Sequence, residues 1–186
     1  MLLIDEISSP IGTIAIAARS GRLCALEFGR APLARQLAAR YPEVPRRRAR
    51  NPFGLSAKLR AYLAGDLAAV DRIAVEAGGT PFQQRVWRAL RRIPPGRTMS
   101  YGALAHALGV GAAVRAVGAA NGRNPISLVV PCHRLIGGDG SLTGYGGGLW
   151  RKRWLLRHEQ AARPRVSTRA KSGSGRPNHR RRRSDV

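Results

Sequence analysis

Residues 2–28 carry three short β-rich runs, LLIDEIS, GTIAIAA and RLCALEF, parted by the turn-forming stretches SSPI and RSG. The pattern predicts a small antiparallel sheet. Apolar spacing becomes helical over 31–41, where Leu33 and Leu37 share a face, and again over 55–68, with Leu55, Leu59, Tyr62 and Leu63. Between these helices PEVPRRRARNP reads as a basic, Pro-bounded loop. Cys24 sits among Leu23, Leu26 and Phe28 in the third run, the setting of a buried structural thiol.

The second half is patterned differently. In TPFQQRVWRALRRIPPG, Thr80 is an N-cap, Pro81 suits the first turn and Gln83 occupies the capping-box position. Phe82, Val86, Leu90 and Ile93 form its apolar stripe, and Arg85, Arg88, Arg91 and Arg92 its solvated face. Ser100 caps a short helix with Leu104, Ala105 and Leu108 inward; Gly109-Val110-Gly111 breaks it, and a second helix runs from about Ala112 to Asn121. Two short helices about a Gly turn form a helix-turn-helix pattern. Small residues dominate the second helix, and Arg115 is its one charge. A final helix over Gly148–Gln160 directs Leu149, Trp150, Trp154, Leu155 and Leu156 inward and Arg151, Lys152, Arg153 and Arg157 outward. Beyond it the chain loses all apolar periodicity. The expected organisation is an α/β domain over 1–78, built of a small antiparallel sheet plus helices. An all-α, winged-helix-like helix-turn-helix domain follows over 79–161, then a disordered basic tail over 162–186.

Charge narrows the function. The net charge is +23, with 30 arginines against 3 lysines. Residues 81–160 hold 12 basic side chains and 2 acidic ones, Asp139 and Glu159. Genome composition accounts for arginine over lysine but not for the near absence of acids in a folded segment, which points to a polyanionic partner such as nucleic acid. No run is apolar enough to cross a bilayer, and Met1–Ser20 lacks a signal peptide's basic start, so the chain reads as cytoplasmic. Two cysteines, Cys24 and Cys132, make neither a disulfide framework nor a Cys-rich zinc cluster.

The chemistry concentrates in SLVVPCHRLIGG, an apolar run resembling a buried strand that ends in Pro-Cys-His-Arg. Four readings of Cys132 compete. A metal site needs more ligands than Cys132 and His133. A hydrolase dyad needs the base to face the thiol, and neighbours on an extended chain point apart unless the turn bends or a water bridges them. The glycines at 137–148 match no phosphate-binding loop. A structural thiol is the default, yet it does not require a proline before it and a His-Arg pair after it.

Taken together, NPISLVVPCHRLIGGDGSLTGYGGGLWRKRWLLRHE, TPFQQRVW and SYGALA resemble the O6-alkylguanine-DNA alkyltransferases, densely over 80–159 and loosely over 8–78. The resemblance implies that Cys132 accepts an alkyl group and has a lowered pKa. It implies a relay from Cys132 through a water to His133 and Glu159, with Asn124 shaping the active-site turn. It assigns Tyr101 to the leaving base's ring nitrogen and Arg115 to the gap left by base flipping, and directs the second helix into the minor groove. Arg134, Tyr145 and Gly146 complete the implied DNA- and base-binding set, with Tyr145–Gly148 closing over the base. Gly146 stands where members commonly carry Ser or Ala.

The implied activity is suicidal repair of O6-alkylguanine in double-stranded DNA, with O4-alkylthymine a further candidate substrate. It would be carried out by a monomer with no metal and no cofactor, of the short constitutive type. A nonenzymatic lesion sensor is the rival, and a basic helix-turn-helix protein with a structural thiol a third reading.

Overall fold

The computed structural model describes residues 1–162. Residues 163–186, with nearly all of the expected basic tail, lie outside the described residues.

Strands β1 (Leu2–Ile7), β2 (Ile14–Arg19) and β3 (Arg22–Phe28) form an antiparallel meander. The β2–β3 hairpin turns on Ser20 and Gly21, both with positive φ (47° and 74°), the left-handed pair that matches the twist of a two-residue hairpin. Helix α1 (Arg30–Arg40) follows. The expected basic loop departs from its reading: Arg46–Arg48 form β4, an exposed edge strand parallel to β1. The sheet is therefore mixed, in the order β3-β2-β1-β4. An edge strand needs only backbone pairing on one side, so an all-arginine segment can join it with its side chains in water.

Strand β2 is buried on both faces. Ala15 and Ala17 pack toward Leu33 and Leu37 of α1, whereas Ile14, Ile16 and Ala18 join a larger core on the other face. That core takes in Leu55, Leu59 and Tyr62 of α2 (Leu55–Leu63) and continues into the second half through Val86, Leu90 and Leu155. The Leu26 amide donates to the Pro125 carbonyl at 3.0 Å, which attaches β3 to the turn preceding Cys132.

In the second half, α3 (Pro81–Leu90) starts at Thr80 with the capping box in place, Thr80 Oγ1 accepting from the Gln83 amide. The Trp87 indole, absent from the expected stripe, is buried and donates to the Ala120 carbonyl at 2.9 Å. Helix α4 (Tyr101–Ala107), capped by Ser100, and α5 (Val114–Gly122) form the helix-turn-helix pair. A two-stranded parallel ribbon, β5 (Met99–Ser100) with β6 (Leu135–Ile136), holds the start of α4 beside the Cys132 turn. Helix α6 (Leu149–Ala161) closes the domain. Among the described residues no helix is long and apolar enough to cross a membrane.

Two readings of α6 are corrected. Leu149 and Trp150 are exposed, and Lys152 is fully buried. The inward face is Lys152, Leu155, Leu156 and Glu159, spaced i, i+3, i+4, i+7.

Candidate active site

The run before Cys132 is a buried turn rather than the end of a strand. Leu128 adopts a positive φ of 73°, a conformation that surrounding contacts must impose on a branched side chain. Asn124 supplies part of that constraint. Its amide Nδ2 donates to the Val130 carbonyl at 2.7 Å and its Oδ1 accepts from the Ile126 amide at 3.0 Å. The chain then enters a 3₁₀ turn, Cys132–Arg134, so Cys132 and His133 are not on extended backbone and the geometric objection to adjacent partners lapses.

Cys132 is 5% exposed and His133 fully buried. His133 Nε2 lies 2.9 Å from Glu159 Oε1. Glu159 has no exposure and, among the described residues, accepts from His133, the Tyr62 hydroxyl at 2.7 Å, the Gly96 amide at 2.9 Å and the Arg134 guanidinium. Arg134 binds it as a fork, Nη2 to Oε1 at 2.8 Å and Nε to Oε2 at 3.1 Å, and donates Nη1 to the Ile93 carbonyl at 2.5 Å. Burial by itself would raise the Glu159 carboxyl. The donors from His133 and Arg134 outweigh it and hold that carboxyl well below the usual range. Burial, reinforced by the Arg134 and Lys152 cations, pushes His133 down against the pull of Glu159. At neutral pH the pair is thus a neutral imidazole and a carboxylate. A carboxylate only accepts, so Nε2 carries the proton and Nδ1 presents its lone pair. Nδ1 is buried and, among the described residues, meets no hydrogen-bond partner.

The expectation of a thiol with a lowered pKa is corrected. Burial pushes Cys132 up, only partly countered by Asn124, the Lys152 cation and Ser127. At rest the group is a thiol beside a base, not a standing thiolate. Lys152 itself donates Nζ to the Thr143 carbonyl at 2.7 Å.

Tyr101, the first residue of α4, is half-buried, with its hydroxyl 3.4 Å from Asn121 Nδ2. The Tyr145 hydroxyl is buried without a hydrogen-bond partner among the described residues, and its ring meets His133 edge-on at 6.5 Å between centroids. Among the described residues a Cβ added at Gly146 would meet nothing within 4 Å, so a Ser or Ala there would fit this backbone. Arg115 is exposed on α5, as are Val114, Ala116, Ala119 and Gly122, with exposed Ala112 in the turn before it.

Arg134 departs from its expected place at the DNA. It is 3% exposed and its donors are taken up by Glu159 and Ile93, which leaves no face for a phosphate or base. Sequence reasoning also missed Tyr62 and Lys152. Tyr62 lay on a predicted apolar face, and a buried tyrosine hydroxyl calls for a partner. Lys152 stands seven residues before Glu159, hence on the same helical face. Among the described residues no group of three or more His, Cys, Asp or Glu is placed to hold a metal ion.

Residues 81–161 match the DNA-binding domain of 6-O-methylguanine DNA methyltransferase, and residues 4–77 its ribonuclease-like domain. The methylated-DNA–protein-cysteine methyltransferase of Salmonella typhimurium is 51% identical over 163 residues, covering 85% of this chain and 95% of the relative. That of Mycobacterium tuberculosis is 45% identical over 167 residues, covering 88% and 96%. The crystal structure of the M. tuberculosis O6-methylguanine methyltransferase superposes with a TM-score of 0.73 at 39% identity, over 89% of this chain and 96% of that one. A structure of M. tuberculosis OGT in complex with DNA gives 0.72 at 40% identity, over 88% and 96%. On the strength of both its halves, the chain belongs to the methylated-DNA–protein-cysteine methyltransferase family.

Proposed function

We propose that the protein repairs alkylated DNA by moving the alkyl group of a flipped O6-alkylguanine irreversibly onto Cys132, once per molecule. The observation that carries this reading is the buried thiol next to a neutral imidazole whose Nε2 is held by Glu159 and whose Nδ1 is free to accept a proton.

In this reading a bridging water passes the Cys132 proton to His133 Nδ1 as Sγ attacks the alkyl carbon. The S–C bond forms, the C–O6 bond breaks, and the guanine leaves with the bonding pair. Imidazolium formed beside Glu159 is stabilised by the carboxylate, so the base strengthens when it is needed. Because burial favours the thiol, the neutral imidazole has to take the Cys132 proton for Sγ to attack. Tyr101 donates its hydroxyl proton in a hydrogen bond to a ring nitrogen of the departing base. Tyr145 and the glycine loop after it cover the base, Gly146 through its backbone N–H.

Reaching the lesion requires the base to leave the stack. The exposed side of α5, mostly small side chains with Val114 and a single arginine, suits close approach to a narrow minor groove, with Arg115 filling the space left by the base. The protein acts as a monomer, and no cofactor enters the scheme. Arg134 works through Glu159, not through DNA.

The test is the intact mass after incubation with a duplex carrying one O6-methylguanine. The expected result is a gain of one methylene, mapped to the Cys132 peptide and saturating at one per protein, with Cys132→Ala inert but still able to bind the lesion duplex. Tight lesion binding with no mass gain would move the assignment to a nonenzymatic sensor. Loss of binding in Cys132→Ala would make the thiol structural.

A further inference from the structure

Arg151, the third residue of α6, follows directly on the glycine-rich loop that carries Tyr145. Its Nη1 donates to the Gly147 carbonyl at 2.7 Å and its Nε to the Ile11 carbonyl at 2.8 Å. Its guanidinium lies over two rings, 4.9 Å from the Phe28 centroid and 4.4 Å from that of Trp150. Ile11 belongs to the β1–β2 turn and Phe28 ends β3. One side chain therefore ties the N-terminal half to the backbone of the loop over the site.

The surroundings are built to this arrangement. A Cβ at Gly147 would stand 2.6 Å from the Phe28 ring and 2.8 Å from that of Tyr145, and one at Gly12 would stand 3.3 Å from Arg151 Nη2. Phe28 and Tyr145 are themselves 6.2 Å apart between centroids. The loop needs such a restraint. Gly144, Gly146, Gly147 and Gly148 leave it wide conformational freedom in the unrestrained chain, and freedom must be lost before a base can be held. A planar guanidinium bonds two carbonyls at fixed spacing while its face stays on a ring, which an ammonium cannot do.

We propose that Arg151 is a positioning residue through which the N-terminal domain sets the Tyr145–Gly148 loop for the alkylated base. This rests on the alkyl-transfer reading above. The expected consequence is a substrate-binding effect more than a rate effect.

The experiment follows Cys132 labelling by free O6-benzylguanine over a range of concentrations by intact mass, together with amide hydrogen exchange at residues 146–148. For Arg151→Ala the half-saturating concentration is expected to rise about tenfold, the worth of one or two net hydrogen bonds, with the maximal rate within about twofold. Loop exchange is expected to quicken. Arg151→Lys, which keeps a cation over the rings and loses the two-carbonyl fork, falls between, and it carries the test if Arg151→Ala lowers the melting temperature. Unchanged half-saturation, or a loss confined to the maximal rate with loop exchange unaltered, overturns the proposal. If the parent protein is not labelled at all, the alkyl-transfer reading fails instead, and the exchange measurement still decides whether Arg151 restrains the loop.

Discussion

Replacing Arg134 separates two accounts of the Pro-Cys-His-Arg segment. As a DNA contact, Arg134→Met would weaken DNA binding and flatten its salt dependence by about one phosphate contact, with little effect on folding. The structure leads to the opposite expectation. Glu159 has no exposure, and among the described residues Arg134 is the only permanent cation bonded to it, through Nη2 at 2.8 Å and Nε at 3.1 Å. Removing one partner of a buried ion pair leaves the other charge uncompensated, at a cost of about 3–5 kcal/mol. For a domain of this size that lowers the melting temperature by roughly 6–20 °C.

Tyr62, Gly96 and His133 still donate to Glu159 in the variant, which sets the expectation toward the lower end. Urea unfolding of the parent, Arg134→Met, Glu159→Gln and the double variant at pH 7 gives the coupling directly. The double variant is expected to recover part of the loss, because it removes both charges. DNA affinity of folded Arg134→Met is expected to keep the parent's salt slope. A loss below about 1 kcal/mol with a reduced salt slope would refute the reasoning and return Arg134 to the DNA.

Further outcomes follow from the same geometry. Arg115→Ala is expected to slow repair in duplex DNA far more than labelling by free O6-benzylguanine, since only the duplex must surrender a base; equal losses in the two assays would remove the flipping role. Gly146→Ala is expected to be nearly neutral because its Cβ meets open space, whereas Gly147→Ala drives a methyl into Phe28 and Tyr145 and is expected to cost about 1–3 kcal/mol and most of the labelling rate. Matched melting temperatures for the two would contradict this placement.

Stability is expected to fall as pH drops below about 6.5, the ordinary histidine value. His133 is held down in the fold, so the unfolded chain takes up a proton that the native state refuses. Glu159, also held down, extends the loss through the carboxylate range at lower pH. His133→Asn should flatten the first part of that curve, and an unaltered slope between pH 7 and 5 would rule out His133 as its source.

Much of this protein is local and could be read from the chain. The Thr80 capping box, the Ser100 cap, the Ser20-Gly21 hairpin and the helix pair around Gly109–Gly111 each depend on a few neighbouring residues, and the structure contains them. The Cys132-His133 motif with Glu159 at its spacing was legible through resemblance, and the structure brings His133 and Glu159 to 2.9 Å.

What the chain alone could not decide was where charges go. Periodicity assigns Lys152 to water, and the resemblance assigns Arg134 to the DNA; both readings keep the charge at the surface, because a buried charge is ordinarily expensive. Each is buried here because acceptors arrive from other segments: Glu159 from α6 and the Ile93 carbonyl from the turn after α3 for Arg134, and the Thr143 carbonyl from the loop before α6 for Lys152. The same holds for β4, where arginines form a strand because β1 offers a free edge. It holds for the run before Cys132, where Asn124 imposes a turn on residues whose own preference is extended. Tertiary structure likewise sets the protonation of the site, since burial of Cys132 and His133 keeps a thiol and a neutral base side by side.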